Sequence, residues 1–556
     1  MKKILVLLLL VLSLPLYAQT AKNIPYEDPV YGFLDKCYAK GWIYYMPDVK
    51  PYTEKRAYNY LKEVKALFME EPERFSPEDR EKLFMYMERL EGNKFNLFEY
   101  SSENIRADLN LAPHAEIASA VNEPKDTSLG GGSEFMIDLY AYDRLYMGLR
   151  SDIYMVADFW DDAPYMYYQH PHKPDFNMYT YNLSEGTKSF NHDAERHVGD
   201  TDVSIRMNQL NQISADLGPA HISFGRNALN WGPGEQAALS LSRTSKPYEY
   251  FFYDIPIGDK IYFSWMTGFL RDEEAFGATE DQDKLITAHR IEFQPFKWFM
   301  FSIYETVVYS HRLALSYINP FSLYYISEVS EGDRDNKFGG MDFVFRFMES
   351  KLYFSLFLDD WDFGEALNLN YYHNIGAITA GYKIYDVVPK FDLTLEYTYL
   401  SHWMYSHKLF SGNNRSNYSH YGSSVGHYLP PNSQLAFADI TYNYSPNLEV
   451  GLSFLFTQHS LGDINTHAHD ASVGGWDMGG LYDDWDDNYN FMDYGVDGIV
   501  RQTNLDWTLH GEYRIPYYGL KFTGAFTLDY TINKNQIKGD DEWRGILTLA
   551  AKWQAY

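Results

Sequence analysis

The side chains with chemical potential gather in two stretches. In the first, Phe224-Gly225-Arg226 is followed by Asn230-Trp231-Gly232-Pro233-Gly234. Proline fixes one φ angle and the glycines permit positive φ and close backbone approach, so this is a rigid turn that holds an indole in one orientation. A fixed indole can cover the C–H face of a pyranose and donate one N–H, and the planar guanidinium of Arg226 can clamp a uronate carboxylate. The competing and more frequent arrangement is structural: Trp231 in an aromatic girdle and Arg226 paired with a carboxylate inside a barrel.

The second stretch mixes acids with aromatics: Trp476, Asp477, Tyr482, Asp483, Asp484, Trp485, Asp486, Asp487, Asn488 and Tyr489. Clustered carboxylates could hold Ca²⁺ and so bridge an anionic glycan, but the spacing matches no EF-hand loop, and a solvated acidic loop is the favoured reading. His467 and His469, with Asp463 and Asp470 nearby, form an H-x-H without further ligands. That spacing is weak, and no metal is assigned. There is no G-x-S-x-G elbow, no H-E-x-x-H and no phosphate loop. Asp359 and Asp360 are adjacent, and adjacent strand residues point to opposite faces, so they cannot share a proton. A non-enzymatic protein is expected, with no catalytic residue and no cofactor. A barrel hydrolase would need Ser, His and acidic residues at a defined spacing, and supply without spacing is not evidence.

The elements that must position these residues follow from periodicity. From about Glu103 to the end the apolar period is close to two, in segments of roughly ten residues, the length a tilted strand needs to cross a bilayer. Phe343, Phe345 and Phe347 alternate with polar or small neighbours, as do Leu352, Phe354, Leu356 and Leu358, and Leu547, Leu549, Ala551 and Trp553. Short turns are expected at Gly218-Pro219, Gln294-Pro295, Glu349-Ser350, Ser445-Pro446-Asn447 and Ile515-Pro516. Long polar stretches lie near residues 158–200, 402–434 and 458–503. Short turns at one end and long loops at the other are the outer-membrane pattern, with the short turns periplasmic. The expected fold is mainly β: a transmembrane outer-membrane β-barrel of about 16–18 antiparallel strands with a small N-terminal α-helical domain. Up-and-down parity lapses around residues 227–283 and 387–434.

Ahead of the barrel, residues 22 to about 97 carry a helical period. Val30, Phe33, Leu34, Cys37 and Tyr38 form one apolar stripe, which makes Cys37 a core thiol. A second helix from Thr53 is expected to bury Ala57, Tyr60, Leu61, Val64, Leu67 and Phe68. A third begins with Ser76 as N-cap, Pro77 at the first helical position and Asp79 closing the capping box, turns Leu83, Phe84, Met87 and Leu90 inward, and ends at Gly92. Residues 1–18 form an expected signal peptide, with Lys2 and Lys3 before a leucine-rich run too short to span a bilayer. The expected organisation is 1–18 signal peptide, 19–100 periplasmic helical domain and 101–556 outer-membrane barrel with long extracellular loops.

Composition agrees. The chain has 50 Tyr, 36 Phe and 12 Trp, and no mature segment is apolar enough for a spanning helix. The 76 acidic against 47 basic residues exclude nucleic acid as a partner and oblige any polyanionic ligand to use a local basic patch or bridging cations. One cysteine cannot close an intramolecular disulfide.

Taken as blocks, these motifs resemble the capsule assembly Wzi family. The similarity runs through Tyr31-Gly32-Phe33-Leu34-Asp35 to Gly41 with Pro51-Tyr52-Thr53, and through Phe224-Gly225-Arg226, Trp231-Gly232-Pro233-Gly234 and Leu239-Ser240-Leu241-Ser242. It continues in Tyr317-Ile318-Asn319-Pro320-Phe321, in Asp335-Asn336 with Gly340-Met341-Asp342, and in Leu358-Asp359-Asp360. The resemblance implies a monomeric eighteen-strand barrel in the outer membrane, in contact with lipid and lipopolysaccharide, that binds surface polysaccharide and helps hold a capsule on the cell. The terminal aromatic strand Leu547 to Tyr556 looks like the recognition strand of the barrel assembly machinery. The candidate ligand-binding residues are Arg226, Trp231, Asn319, Asp342, Trp476 and Trp485, with Gly225, Gly232, Pro233, Gly234 and Pro320 shaping the backbone. The alternative is a channel for small solutes, with the acidic excess favouring cations.

Overall fold

From Ile105 onward side chains alternate between two faces, and the strands so formed hydrogen-bond into a closed antiparallel barrel. In this computed structural model residues 21–553 are described, except 92–95, 121–126, 143, 159–179, 182–187, 190–193, 199–202, 272–282, 311, 333, 360–373, 402–403, 406–415, 421–422, 432, 460–500, 516–518 and 535–536. The expected signal peptide 1–18 and the acidic loop with Trp476 and Trp485 lie outside the described residues.

Eighteen strands make the wall: β1 (Ile105–Ala120), β2 (Thr127–Ala141), β3 (Leu145–Asp158), β4 (Val203–Leu217), β5 (Ala220–Asn227), β6 (Tyr248–Ile257), β7 (Ile261–Arg271), β8 (Asp283–Phe296) and β9 (Phe299–Ser310). They continue with β10 (Asn336–Phe347), β11 (Ser350–Leu358), β12 (Gly376–Val388), β13 (Phe391–Leu400), β14 (Ser433–Ser445), β15 (Leu448–His459), β16 (Gln502–Ile515), β17 (Leu520–Ile532) and β18 (Glu542–Trp553). β18 pairs with β1, so the wall leaves no edge whose N–H and C=O groups would face lipid unpaired. One face of every strand is apolar and exposed, as with Ile291, Ile303, Leu352, Phe354, Leu547 and Leu549. Among the described residues no helix is long and apolar enough to cross a membrane.

Connections at one end are short: 142–144, 218–219, 258–260, 297–298, 348–349, 389–390, 446–447 and 516–519. The turn expected at Gln294-Pro295 falls instead at Lys297-Trp298. The Gln294 N–H still donates to Lys260, and Pro295, which has no N–H to give, sits where the β8–β9 register shifts.

Residues 21–91 carry three helices, α1 (Val30–Ala39), α2 (Glu54–Glu70) and α3 (Pro77–Leu90). Their caps are as the sequence predicts: Thr53 accepts from the Arg56 N–H, and Ser76 from the Asp79 N–H. Val30, Phe33, Leu34 and Cys37 are buried together with Ala57, Leu61 and Val64. Phe84, expected inward, is 43% exposed, and Tyr86 takes its place. Two residues apart on a helix, the rings of Phe84 and Tyr86 point to different sides, and Tyr86 faces Phe33 at 5.5 Å.

The helices close the short-turn mouth. Asp35 accepts from Lys383 Nζ at 3.0 Å and Tyr385 Oη at 2.6 Å and pairs with Lys351, while Lys36 and Lys40 reach Asp386 at 2.9 and 2.7 Å. Burial pushes the Asp35 carboxyl upward, but the two lysines outweigh it and hold the group well below the usual carboxylate range.

Candidate functional site

The lapses in up-and-down parity have a structural cause. The segment 228–247 between β5 and β6, and the described parts of 401–432 between β13 and β14, fold back inside the barrel and are buried. The polar stretch 402–434, expected as an external loop, is therefore in part lumen filling. Tyr405, Tyr418, Val425 and Leu429 pack with Leu239 and Leu241, away from water, and Tyr405 Oη donates to the Leu239 carbonyl at 2.6 Å. From the helical end the chain around Val49 rises to meet them. Val49 and Lys50 pair as a short antiparallel ladder with Trp231 and Asn230, and the Gly232 N–H donates to the Asp48 carbonyl at 2.9 Å. Segments from both ends thus join inside the wall.

Trp231 sits at that junction. Its side chain is fully buried, its backbone N–H donates to Leu241 O at 2.8 Å, and its indole nitrogen has no hydrogen-bond partner. The turn expected to present a sugar platform instead packs an indole into the core, against both the girdle and the ligand readings. Gly232 has φ +132° and Gly234 leaves no room for a Cβ, which would meet Ala237 O at 2.3 Å, so the tight turn itself is as expected.

Asp342 is likewise a structural residue. Arg290 donates Nε to Glu292 at 2.7 Å, one terminal nitrogen to Asp342 at 2.5 Å and the other to Ser302 at 2.9 Å, with its guanidinium 4.9 Å from the Tyr304 ring centre. Glu292 in turn accepts from the Asp48 N–H at 3.2 Å and from Tyr45 Oη at 3.3 Å. A ligand reaches Asp342 only by displacing this network. Asn319 and Pro320 lie in the β9–β10 connection, where Asn319 Oδ1 accepts from the Phe321 N–H at 3.2 Å, on the outside of the wall and far from the lumen. Asp359 is buried just beyond the end of β11.

Among the described candidates Arg226 alone lines a cavity, while Asn319 is exposed on the outer face. Arg226 pairs with Glu249 at 3.0 Å, whose side chain is 47% exposed, and the cavity, of about 160 Å³, lies between the wall and the N-terminal segment. Around that cavity Lys22 meets Asp138 at 2.5 Å, Arg150 meets Glu134 at 2.6 Å and Glu27 at 3.4 Å, and Arg89 meets Asp28 at 2.6 Å. Burial lowers the Lys22 ammonium, but the Asp138 carboxylate more than compensates and keeps it charged. Sequence spacing could not have assembled this ring, because its members come from β2, β3, β5, β6, α3 and residues 22–28. Beyond the cavity the lumen face of β16–β18 and β1–β3 continues as a polar wall in which His114, Glu116, Asp152, Asn504 and Arg544 are half-exposed and Asp506, Thr508 and Asp529 are more deeply set. His114 Nε2 lies 2.8 Å from Asp152.

A family model for the capsule assembly protein Wzi matches residues 157–486, more than half of the chain. The chain belongs to the Wzi family. Wzi of Escherichia coli, described as an outer membrane protein involved in group 1 capsule assembly and as a carbohydrate-binding β-barrel, superposes with a TM-score of 0.58 at 10% identity, covering 97% of this chain and 100% of that one. That likeness establishes the fold. Two Pseudomonas aeruginosa barrels are more remote: OprD, at TM-score 0.40 and 9% identity over 80% of this chain and 94% of its own, and OpdQ, at 0.42 and 8% over 81% and 99%. No curated protein matches the chain. In this Wzi-family barrel residues 231–234 and 239–242 build lumen filling, 31–41 lies in and just after α1, and 317–321 lies in the β9–β10 connection; no group of three or more metal-type ligands occurs among the described residues.

Proposed function

We propose that this Wzi-family barrel binds surface polysaccharide without chemical turnover, at its long-loop mouth and along the polar half of its lumen, and so holds glycan at the outer membrane. The observation that carries this reading is the division of the lumen. One half is filled by segments that meet at Val49 and Trp231, which opposes free passage of solutes, while the other offers a wall of carboxylates, amides, imidazole and guanidinium groups of the kind that hydrogen-bond sugars. The excess of acid on that wall favours neutral or cation-bridged glycans, with Arg150, Arg226 and Arg544 as the local basic groups.

On this reading the short turns and helices lie in the periplasm, the barrel is inserted by the barrel assembly machinery as a monomer among lipid and lipopolysaccharide, and residues 1–18 are removed. The test is deletion of the gene together with glycan-array binding by the refolded chain. Polysaccharide should be shed into the medium, and the array should show glycan-specific binding; unchanged retention with a silent array would defeat the proposal. The polar half-lumen also favours a second reading, a narrow cation-preferring channel. Planar-bilayer recording separates the two, since a stable open pore supports the channel and electrical silence the binder.

A further inference from the structure

The β9–β10 connection leaves the long-loop end, yet it neither stands free nor enters the lumen. It carries α4 (Leu315–Ile318) and α5 (Tyr324–Glu331), and it lies on the outer face of the barrel. On β7, β8 and β9 odd-numbered residues point outward: Phe269, Ile291, Phe293 and Ile303 are exposed in line with the apolar belt. Trp265 and Phe263 point the same way but are buried, because this connection covers them; the Phe321 ring stacks on Phe263 at 5.6 Å and 10°.

Beneath it sits a polar pair at a depth where none belongs. His289 and Glu305 also point outward, each the seventh residue of its strand and so near the middle of the wall, and they meet at 3.0 Å. In bare hydrocarbon such a pair would be strongly unfavourable. Here the Tyr324 ring stacks on His289 at 4.3 Å, and the Tyr324 N–H donates to Glu305 at 3.0 Å. Leu323, the N-cap of α5, has no capping side chain, so a wall carboxylate does the capping, and Gly332 at φ +100° ends the helix. Other polar groups also turn inward: Tyr317 Oη donates to Asp335 at 2.8 Å, and Lys337 to Glu328 at 2.8 Å. The opposite face carries Leu315, Phe321, Leu323, Tyr325, Ile326 and Val329, which are 59–81% exposed.

We propose that this connection is a membrane-immersed cover: its outer face contacts the acyl chains of the bilayer, and it shields the His289–Glu305 pair from them. Lipid is the occupant because the exposed face continues the apolar belt at the depth of the strand centres, with its polar side turned to the wall. Single cysteines at Leu315, Phe321 and Ile326, carried by the full chain in vesicles and labelled with an environment-sensitive fluorophore, test this. Cys37 is buried and its thiol is pushed up by burial, so it stays unlabelled, as the unsubstituted chain will verify. Acyl-chain-brominated lipid should quench all three labels to within about twofold of a label at Ile303→Cys, with iodide quenching several-fold weaker than at Ile537→Cys in an outer connection. Iodide quenching equal to that at Ile537 would overturn the proposal. So would disulfide-linked dimers of Phe321→Cys accompanied by loss of bromolipid quenching, which would make a second copy the occupant.

Discussion

The two halves of the lumen wall use the same strand pattern to opposite ends. Along β6–β13 inward residues such as Tyr248, Ile286, Arg290, Tyr304, Phe338, Tyr353 and Phe357 are at most 2% exposed and are covered by three inserted segments. Along β16–β18 and β1–β3 the inward residues His114, Glu116, Asp152 and Asn504 stay half-exposed beside buried polar ones such as Thr508, Glu512, Thr527 and Asp529. Alternation decides which side of the wall a residue faces, whereas the returning connections decide whether that side is dry. The dry half should therefore carry the stability of the barrel and the wet half its recognition.

The comparison breaks most readily at Arg290. Arg290→Met leaves Glu292 and Asp342 buried without their counter-charge, and breaking a buried pair on one side costs about 3–5 kcal/mol. Asp152→Asn in the wet half touches a pair whose side chains are 18% and 27% exposed and should cost about 0–1 kcal/mol. Denaturant unfolding of both variants in the same detergent measures the contrast, and equal losses would abolish the distinction. Trp231→Ala should come next, at about 3–5 kcal/mol for a buried aromatic. Because Trp231 joins the segments from the two ends, this variant should also raise bilayer conductance, which Asp152→Asn should not.

Much of this was legible in the sequence, and the rest was lost for identifiable reasons. Strand alternation, the end-to-end asymmetry of the connections, the caps at Thr53 and Ser76 and the burial of Cys37 all follow from local periodicity. The fate of Trp231 does not, because Trp-Gly-Pro-Gly prescribes a tight turn but not which surface the turn meets. The parity lapses at 227–283 and 387–434 marked where the chain leaves the wall without saying that it turns inward, as 228–247 does, and the course of 313–331 over the outer face fell in neither lapse; interior and lipid select the same apolar residues. Of the described binding candidates, Asp342 and Trp231 became interior structure and Asn319 part of the outer cover, while Arg226 stayed beside a cavity.

A smaller effect comes from pH acting on the dry half. His427 is held down to about 3 by burial, and His420 to about 3 by burial together with Arg226, Lys284 and Lys246. His420 Nδ1 accepts from the Arg271 N–H at 3.0 Å and its Nε2 faces Pro247 O at 3.2 Å, so a second proton would abolish the first bond. The folded values lie below the ordinary 6.5, so the unfolded chain binds more protons between pH 6.5 and 3. Stability should hold above that window and fall as pH drops through it. Lys351 and Lys383 holding Asp35 down add a loss of the same sign at still lower pH, as that carboxylate protonates. Denaturation midpoints at pH 7.5 and 5 give the measurement. His427→Gln should flatten the drop, and a variant as acid-sensitive as the parent would assign the effect to other groups.

The smallest change in stability should be the most informative about recognition. Arg226 stands where the two halves meet, with Glu249 half in solvent on one side and the cavity on the other. Arg226→Gln lets Glu249 rehydrate, so the unfolding free energy should move by about 0.5 kcal/mol or less. Loss of a charge-assisted clamp on a glycan carboxylate should nonetheless weaken binding of a uronate-bearing oligosaccharide about tenfold, or ~1.4 kcal/mol. Binding of a neutral oligosaccharide should be unchanged. Equal losses for both sugars would mean that Arg226 shapes the cavity without reading charge, and would move recognition to the carboxylates and amides of the wet wall.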